Sequence, residues 1–205
     1  MATARVPLED DVLAQVITIA SNGVLSPATC FIANAQQVTF VNNSGGSIPI
    51  TFEPDAFGVT VFNNVSVGGN GGTNTQSPQV NNRTVNYNTD GSTTYPYAIQ
   101  VGAGALFIKV TYNQTSGNGD CTPDPAVIPL GGTIEFIGDA NYSVRWNAAN
   151  GDPFTPPLTN IYTASNPLTV PHTASRPSGN YGYTITKLAI TDGTGHGGGT
   201  IKIGG

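Results

Sequence analysis

The sequence predicts an all-β protein made of two tandem Greek-key β-sandwiches, and three observations carry that expectation. Apolar and polar residues alternate with a period of two over most of the chain. Gly and Pro, 26 and 15 of 205 residues, interrupt the alternation at strand-length intervals. The two halves also repeat one order of strand-like segments.

Taken in order, Leu8–Leu13 is the best helical stretch, with Pro7 at a first-turn position and acids near its start. The first half then offers strands at Gln15–Ala20, Gln37–Val41, Ile48–Phe52, Val59–Val65, Thr84–Tyr87, Tyr95–Val101 and Leu106–Tyr112. The second half offers Thr133–Ile137, Ser143–Trp146, Leu168–Val170, Gly182–Thr186 and Thr200–Ile203. Between them, segments such as NTDGST and NAANGDP supply the Asn, Asp and Gly that tolerate positive φ in turns.

The repeat is read by matching QQVTFVNNSGGSIPITF with GTIEFIGDANYSVRW, TTYPYAIQV with GNYGYTIT, and GALFIKVTY with GGTIKIGG. On that matching, residues 1–14 form an N-terminal arm, 15–112 the first sandwich and 113–205 the second. The boundary falls in NQTSGNGD, which has the composition of a flexible linker. One larger sandwich is the competing organisation.

The second half, from PAVIPLGGTIEFIGDANYSVRW through SGNYGYTIT to GGTIKIGG, resembles the cupredoxin family, and the first half does so more loosely. The resemblance implies a cupredoxin-like sandwich and, in its best-known members, a blue-copper site of two His, one Cys and a weak axial Met. It places the first His at Tyr142 in the second half and Ile48 in the first. The Cys, two residues after the Y-x-Y strand, falls at Ile185 and Ile99. His196 is the only donor in the following loop, KLAITDGTGHGGG, and Met1 is the only methionine. One imidazole without thiolate cannot make such a site, so the expectation is a metal-free scaffold without cofactor or electron transfer.

Other chemistry is thinly represented. Gly193, Gly195 and Gly198 match a dinucleotide fingerprint in spacing, but they precede the last strand and no helix follows. The cluster Val67–Gly72 reads as a loop. His172 and His196 have no G-x-S-x-G elbow to serve. Glu53, Asp55, Glu135 and Asp139 are the acids available for glycosidase chemistry, with Glu135 expected to face solvent. Asp120, Asp124 and Asp139 are loop acids without calcium-loop spacing. Cys30 and Cys121 read as two buried free thiols or an inter-subunit bridge, with an intrachain disulfide less favoured. Trp146 and the tyrosines Tyr95, Tyr97, Tyr181 and Tyr183 read as packing residues.

Charged residues make up only 9% of the chain, against about 25% in ordinary globular proteins. The seven bases are scattered and the net charge is −5, which argues against nucleic acid as a partner. No apolar run reaches the length of a membrane span, and MATARVPLEDDVLAQ lacks the apolar core of a signal peptide. A neutral, hydrogen-bonding surface with open sheet edges suits self-association. The expectation is therefore a non-catalytic structural or self-assembling protein, extracellular or at the cell surface, with Ala2–Ala14 as a contact arm. The alternative is a module that binds a carbohydrate or a protein through Asn63–Asn82 and Asn147–Asn166.

Overall fold

The computed structural model describes residues 14–113, 118–138, 140–163, 168–188 and 196–204. The candidate helix Leu8–Leu13 and all of the arm except Ala14 lie outside them. Every regular element among the described residues is a strand.

The first sandwich uses β1 (Gln15–Ile19), β2 (Leu25–Ser26), β3 (Thr29–Ile32), β4 (Val38–Asn42), β5 (Ile48–Phe52), β6 (Val65–Val67), β7 (Gly72–Gln76), β8 (Arg83–Asn88) and β9 (Tyr97–Val101). One sheet has the order β2-β1-β4-β7 and the other β3-β9-β8-β5-β6. Strand alternation explains which faces meet. In β4, Val38, Phe40 and Asn42 are buried while Thr39 and Val41 lie nearer the surface. Phe40 stands beside Ile17 of the parallel β1, and both enter a core with Ile50, Phe52, Phe62, Tyr87 and Ile99.

The second sandwich contains β10 (Ala105–Asn113), β11 (Asn118–Thr122), β12 (Ala126–Pro129), β13 (Thr133–Gly138), β14 (Asn141–Trp146), β15 (Phe154–Thr155), β16 (Asn160–Tyr162), β17 (His172–Ala174), β18 (Gly179–Lys187) and β19 (His196–Gly204). Its order is β15-β17-β13-β10-β11-β19-β18-β14-β16, with β12 also on β19. A single β11–β19 pair, Asp120 with Gly198, joins the two layers into one sheet.

Pairing shows the repeat directly. β1 runs parallel to β4 as β10 does to β13, and β3 runs parallel to β9 as β12 does to β19. The hairpins β8–β9 and β18–β19 correspond, as do β5–β8 and β14–β18.

This moves the boundary drawn from sequence. Leu106–Tyr112 was expected to close the first sandwich at residue 112. Instead β10 opens the second, pairing with β11 and β13 and giving Leu106, Ile108 and Val110 to the second core. An opening and a closing strand carry the same alternation, so only the partner strands separate them. Of NQTSGNGD, Asn113 ends β10 and Asn118–Asp120 open β11, with Asn113 paired to Asn118. The sandwiches join at Gly102–Gly104. A Cβ on Gly104 would collide with the backbone of Asn82 and Arg83.

Two other expected strands differ. Val59–Val65 is largely a loop, because Asp55 Oδ1 accepts the backbone N–H groups of Phe57 and Val59 and bends the chain there. Leu168–Val170 contributes only an isolated bridge, Ile137 with Leu168. Conversely, Asn63–Asn82 and Asn147–Asn166 are not bare loops, since they hold β6, β7, β15 and β16.

β12 packs against β9, β3 and β8 of the first sandwich while paired with β19 of the second. Its Ala126 and Ile128 enter the second core, and Val127 is buried outside both cores. The Asn86 amide, oriented to satisfy both bonds, donates to the Val127 carbonyl at 2.8 Å and accepts its N–H at 3.2 Å. Phe107, likewise buried outside both cores, receives the Arg83 guanidinium 4.7 Å above its ring. Arg83 also pairs with the buried Asp55 at 3.1 Å.

Candidate functional site

In the second sandwich the two positions that the resemblance assigns to copper ligands, Tyr142 and Ile185, are buried. Tyr142, 1% exposed, sits at the start of β14 opposite Ile161. Ile185 lies on β18 opposite Val144. Both converge on Gly119 of β11, where an added Cβ would meet Ile185 Cδ1 at 2.8 Å and Tyr142 Cε1 at 3.9 Å. The two positions that the resemblance assigns to ligands lie close together, and a phenol ring and a branched alkyl group occupy them. His196 opens β19 opposite Thr186, and its side chain is outside the described residues.

In the first sandwich Ile48 is the counterpart of Tyr142: it faces Val67 as Tyr142 faces Ile161. Ile99 is not the counterpart of Ile185. It lies on β9 opposite Val85, as Ile201 lies on β19 opposite Tyr181. The TTYPY segment that suggested otherwise precedes the closing strand. The β5–β8 register, continued one residue, puts Thr89 at the place of Ile185. Sequence reasoning missed this because it matched two Y-x-Y segments that occupy different strands.

Cys30 and Cys121 are free and buried in separate cores. They are not equivalent: Cys30 lies on β3 beside Ile99, and Cys121 on β11 opposite Val110. Burial pushes the Cys30 thiol up to about 12 and that of Cys121 to about 11. Tyr183 donates a hydrogen bond to Cys121, which partly offsets burial. Neither thiol supplies thiolate near neutral pH.

The remaining candidates lie apart among the described residues. His172 is buried, with Nδ1 2.8 Å from the Pro156 carbonyl. Asp55 is held by Arg83, and Asp124 accepts the Thr200 N–H at 2.9 Å. Glu135 is half-buried rather than solvent-facing; desolvation raises its pKa and Arg83 opposes the rise. Asp120 is exposed on β11, and Asp139 lies outside the described residues. Among the described residues no three His, Cys, Asp or Glu side chains come together as a metal group.

Three surface features stand out. Glu53 lines a pocket of about 220 Å³ with Phe52, Thr60, Phe62 and Asn64, and burial raises its carboxyl to about 7. A groove of about 490 Å³ lies at the far end of β14, bounded by Arg145, Trp146, Asn147, Gly182 and Thr184. A second groove, about 410 Å³, follows edge strand β16 between Tyr162, Leu168, Val170 and His172.

The fold is all-β, two sandwiches that share one strand connectivity. No family model matches the chain, and a search of curated proteins finds no match. Solved structures similar to it include a multicopper oxidase, at 13% identity over 91% of this chain and 87% of that one, with a TM-score of 0.33. Another is Fet3p, a multicopper oxidase that functions in iron import, at 10% identity over 92% of this chain and 52% of that one, TM-score 0.34. A third is a Cu-containing nitrite reductase from Thermus scotoductus SA-01, at 10% identity over 92% and 61%, TM-score 0.31. Likeness at this distance transfers no activity to the chain.

Proposed function

We propose that the protein is a non-catalytic structural subunit, extracellular or at the cell surface, that self-associates through the β16 edge of its second sandwich. The observation that carries this reading is the chemistry of that edge. Among the described residues β16 ends the sheet, and its outer backbone N–H and C=O groups have no neighbour strand there. Tyr162 is 60% exposed, Val170 66% and Leu168 37% around the adjoining groove. The edge itself, Asn160–Tyr162, has none of the Lys residues or bulges that usually guard such strands against pairing.

A second copy of the same chain suits this surface. Antiparallel β16–β16 pairing would be self-complementary about a two-fold axis. It would cover Tyr162 and Val170 with identical apolar groups, and the low charge of the chain limits repulsion between copies.

Size-exclusion chromatography with light scattering, followed by negative-stain microscopy, tests the reading. Wild-type protein at tens of micromolar is expected to run as a dimer or larger assembly. Tyr162→Lys with Val170→Lys should weaken association by at least about tenfold. A strictly monomeric wild type, or assembly unaffected by the double variant, overturns it.

A further inference from the structure

The groove at the end of β14 lies apart from the β16 edge and has a different character. Its shape follows from local sequence. β14 ends at Trp146, and Asn147 N–H then donates to the Gly182 carbonyl at 2.9 Å, tying the following turn to β18. Asn147 accepts the Asn150 and Gly151 N–H groups, and Asn150 Nδ2 donates to the Asn180 carbonyl at 2.7 Å. The turn is therefore fixed at both ends.

Beside it, β18 presents Gly182 between Tyr181 and Tyr183. An added Cβ at Gly182 meets nothing within 4 Å, so the groove stays open over bare strand backbone. Trp146 is half-buried and held in place, its Nε1 donating to the Leu158 carbonyl at 2.9 Å and its ring 5.2 Å from Tyr183. Around the opening stand Arg145, Asn147 and Thr184, all exposed. Arg145 makes no ion pair among the described residues.

We propose that this groove binds an oligosaccharide that carries a carboxylate. A sugar ring offers apolar C–H faces and a rim of hydroxyl groups. The floor of bare strand backbone at Gly182 suits the ring, with the half-buried Trp146 also in the lining. Asn147 and Thr184 offer amide and hydroxyl partners to its rim. Arg145 is the one cation in the lining, and its planar guanidinium matches a carboxylate with two parallel hydrogen bonds. A uronic or sialic acid residue meets all three demands at once.

The chain contains a single tryptophan, Trp146, so its intrinsic fluorescence reports on this groove directly. Full-length protein is titrated to millimolar concentration with a panel of uronic and sialic acid oligosaccharides and with their carboxyl-reduced neutral counterparts. A saturable fluorescence change is expected for at least one acidic chain. Its neutral counterpart, and Arg145→Gln with the acidic chain, should bind about tenfold or more weakly. Gly182→Leu fills the open floor without touching Arg145, and it should abolish the response while the melting temperature stays at the wild-type value. No saturable response to any acidic chain overturns the proposal. So do equal affinity for the neutral counterpart and unchanged binding by Gly182→Leu. The oligomeric state measured through the β16 edge is independent of each of these outcomes.

Discussion

The two sandwiches share one strand connectivity but fill and close it differently. By pairing, Phe40, Phe52 and Tyr87 of the first correspond to Phe136, Trp146 and Tyr183 of the second. The aromatic contacts are conserved in kind. Phe40 lies 5.7 Å from Tyr87 and Phe136 lies 6.3 Å from Tyr183, both edge-on. At the end of the central strand the two diverge. After Phe52 the chain makes an excursion that returns Phe62 to within 5.1 Å of Phe52, and only a small pocket at Glu53 remains. After Trp146 a short turn leaves the larger groove open, with Phe154 packed 5.8 Å from the indole. Shared pairing sets the scaffold, and the lengths and residues of the connections decide which end can receive a ligand.

The comparison is broken most sharply by emptying the matched cores. Phe40 and Phe136 are both fully buried, so Phe40→Ala and Phe136→Ala should each cost about 3–5 kcal/mol of stability. Chemical denaturation followed by circular dichroism should show one cooperative transition for wild type and for both variants. The buried contacts of Val127, Asn86 and Phe107 couple the sandwiches. Two resolved transitions, with only one moved by each substitution, would mean that the halves unfold independently.

A finer contrast lies in the tyrosines. Tyr183 donates to Cys121, whereas the Tyr87 hydroxyl is buried with no hydrogen-bond partner among the described residues. Tyr183→Phe should therefore destabilise by about 1 kcal/mol. Tyr87→Phe removes a desolvated hydroxyl that gains nothing in return, and should be neutral or stabilising by up to about 1 kcal/mol. The same denaturation measurement reads both. Equal losses at the two positions would show that the phenol hydroxyls are equivalent after all.

Much of this was legible in the residues. Period-two alternation located β1, β4, β5, β13 and β14, because each has one face in a core and one nearer solvent. It did not locate β12, since Ala126–Pro129 is buried on both faces and has no alternation to read. Nor did it find β7, whose GTNTQ carries no strongly buried residue. The repeat was visible, yet its phase was wrong by one strand: TTYPYAIQV and GNYGYTIT share tyrosines, but pairing matches Arg83–Asn88 with Gly179–Lys187. Tyrosine spacing is a weaker constraint than partner strands. The closeness of Tyr142 and Ile185 around Gly119 was legible, because the second half keeps the strand order of the motif. The Arg145 groove was not, because its shape depends on a missing side chain at Gly182 and on a turn tied to β18.

The smallest effect expected separates the two strand ends by their response to pH. Glu53 follows Phe52 as Asn147 follows Trp146, so only the first sandwich places a titratable group there. Burial raises the Glu53 carboxyl from 4.5 to about 7 in the folded protein. Below about pH 4.5 the group is neutral in both folded and unfolded chains, and it contributes no penalty. As pH rises towards and through 7 the unfolded chain ionises freely, while the folded chain must ionise a partly desolvated carboxyl. Stability is therefore lost over that interval. Glu53→Gln should abolish the loss, leaving the variant more stable than wild type at pH 8 by about 1 kcal/mol, relative to their difference at pH 4. That figure is well below full conversion of the shift, because the carboxyl is partly open to water. Asn147→Asp, a control at the exposed counterpart, should not reproduce it. A wild-type-minus-variant difference that stays flat from pH 4 to pH 8 would place Glu53 in water and remove the contrast.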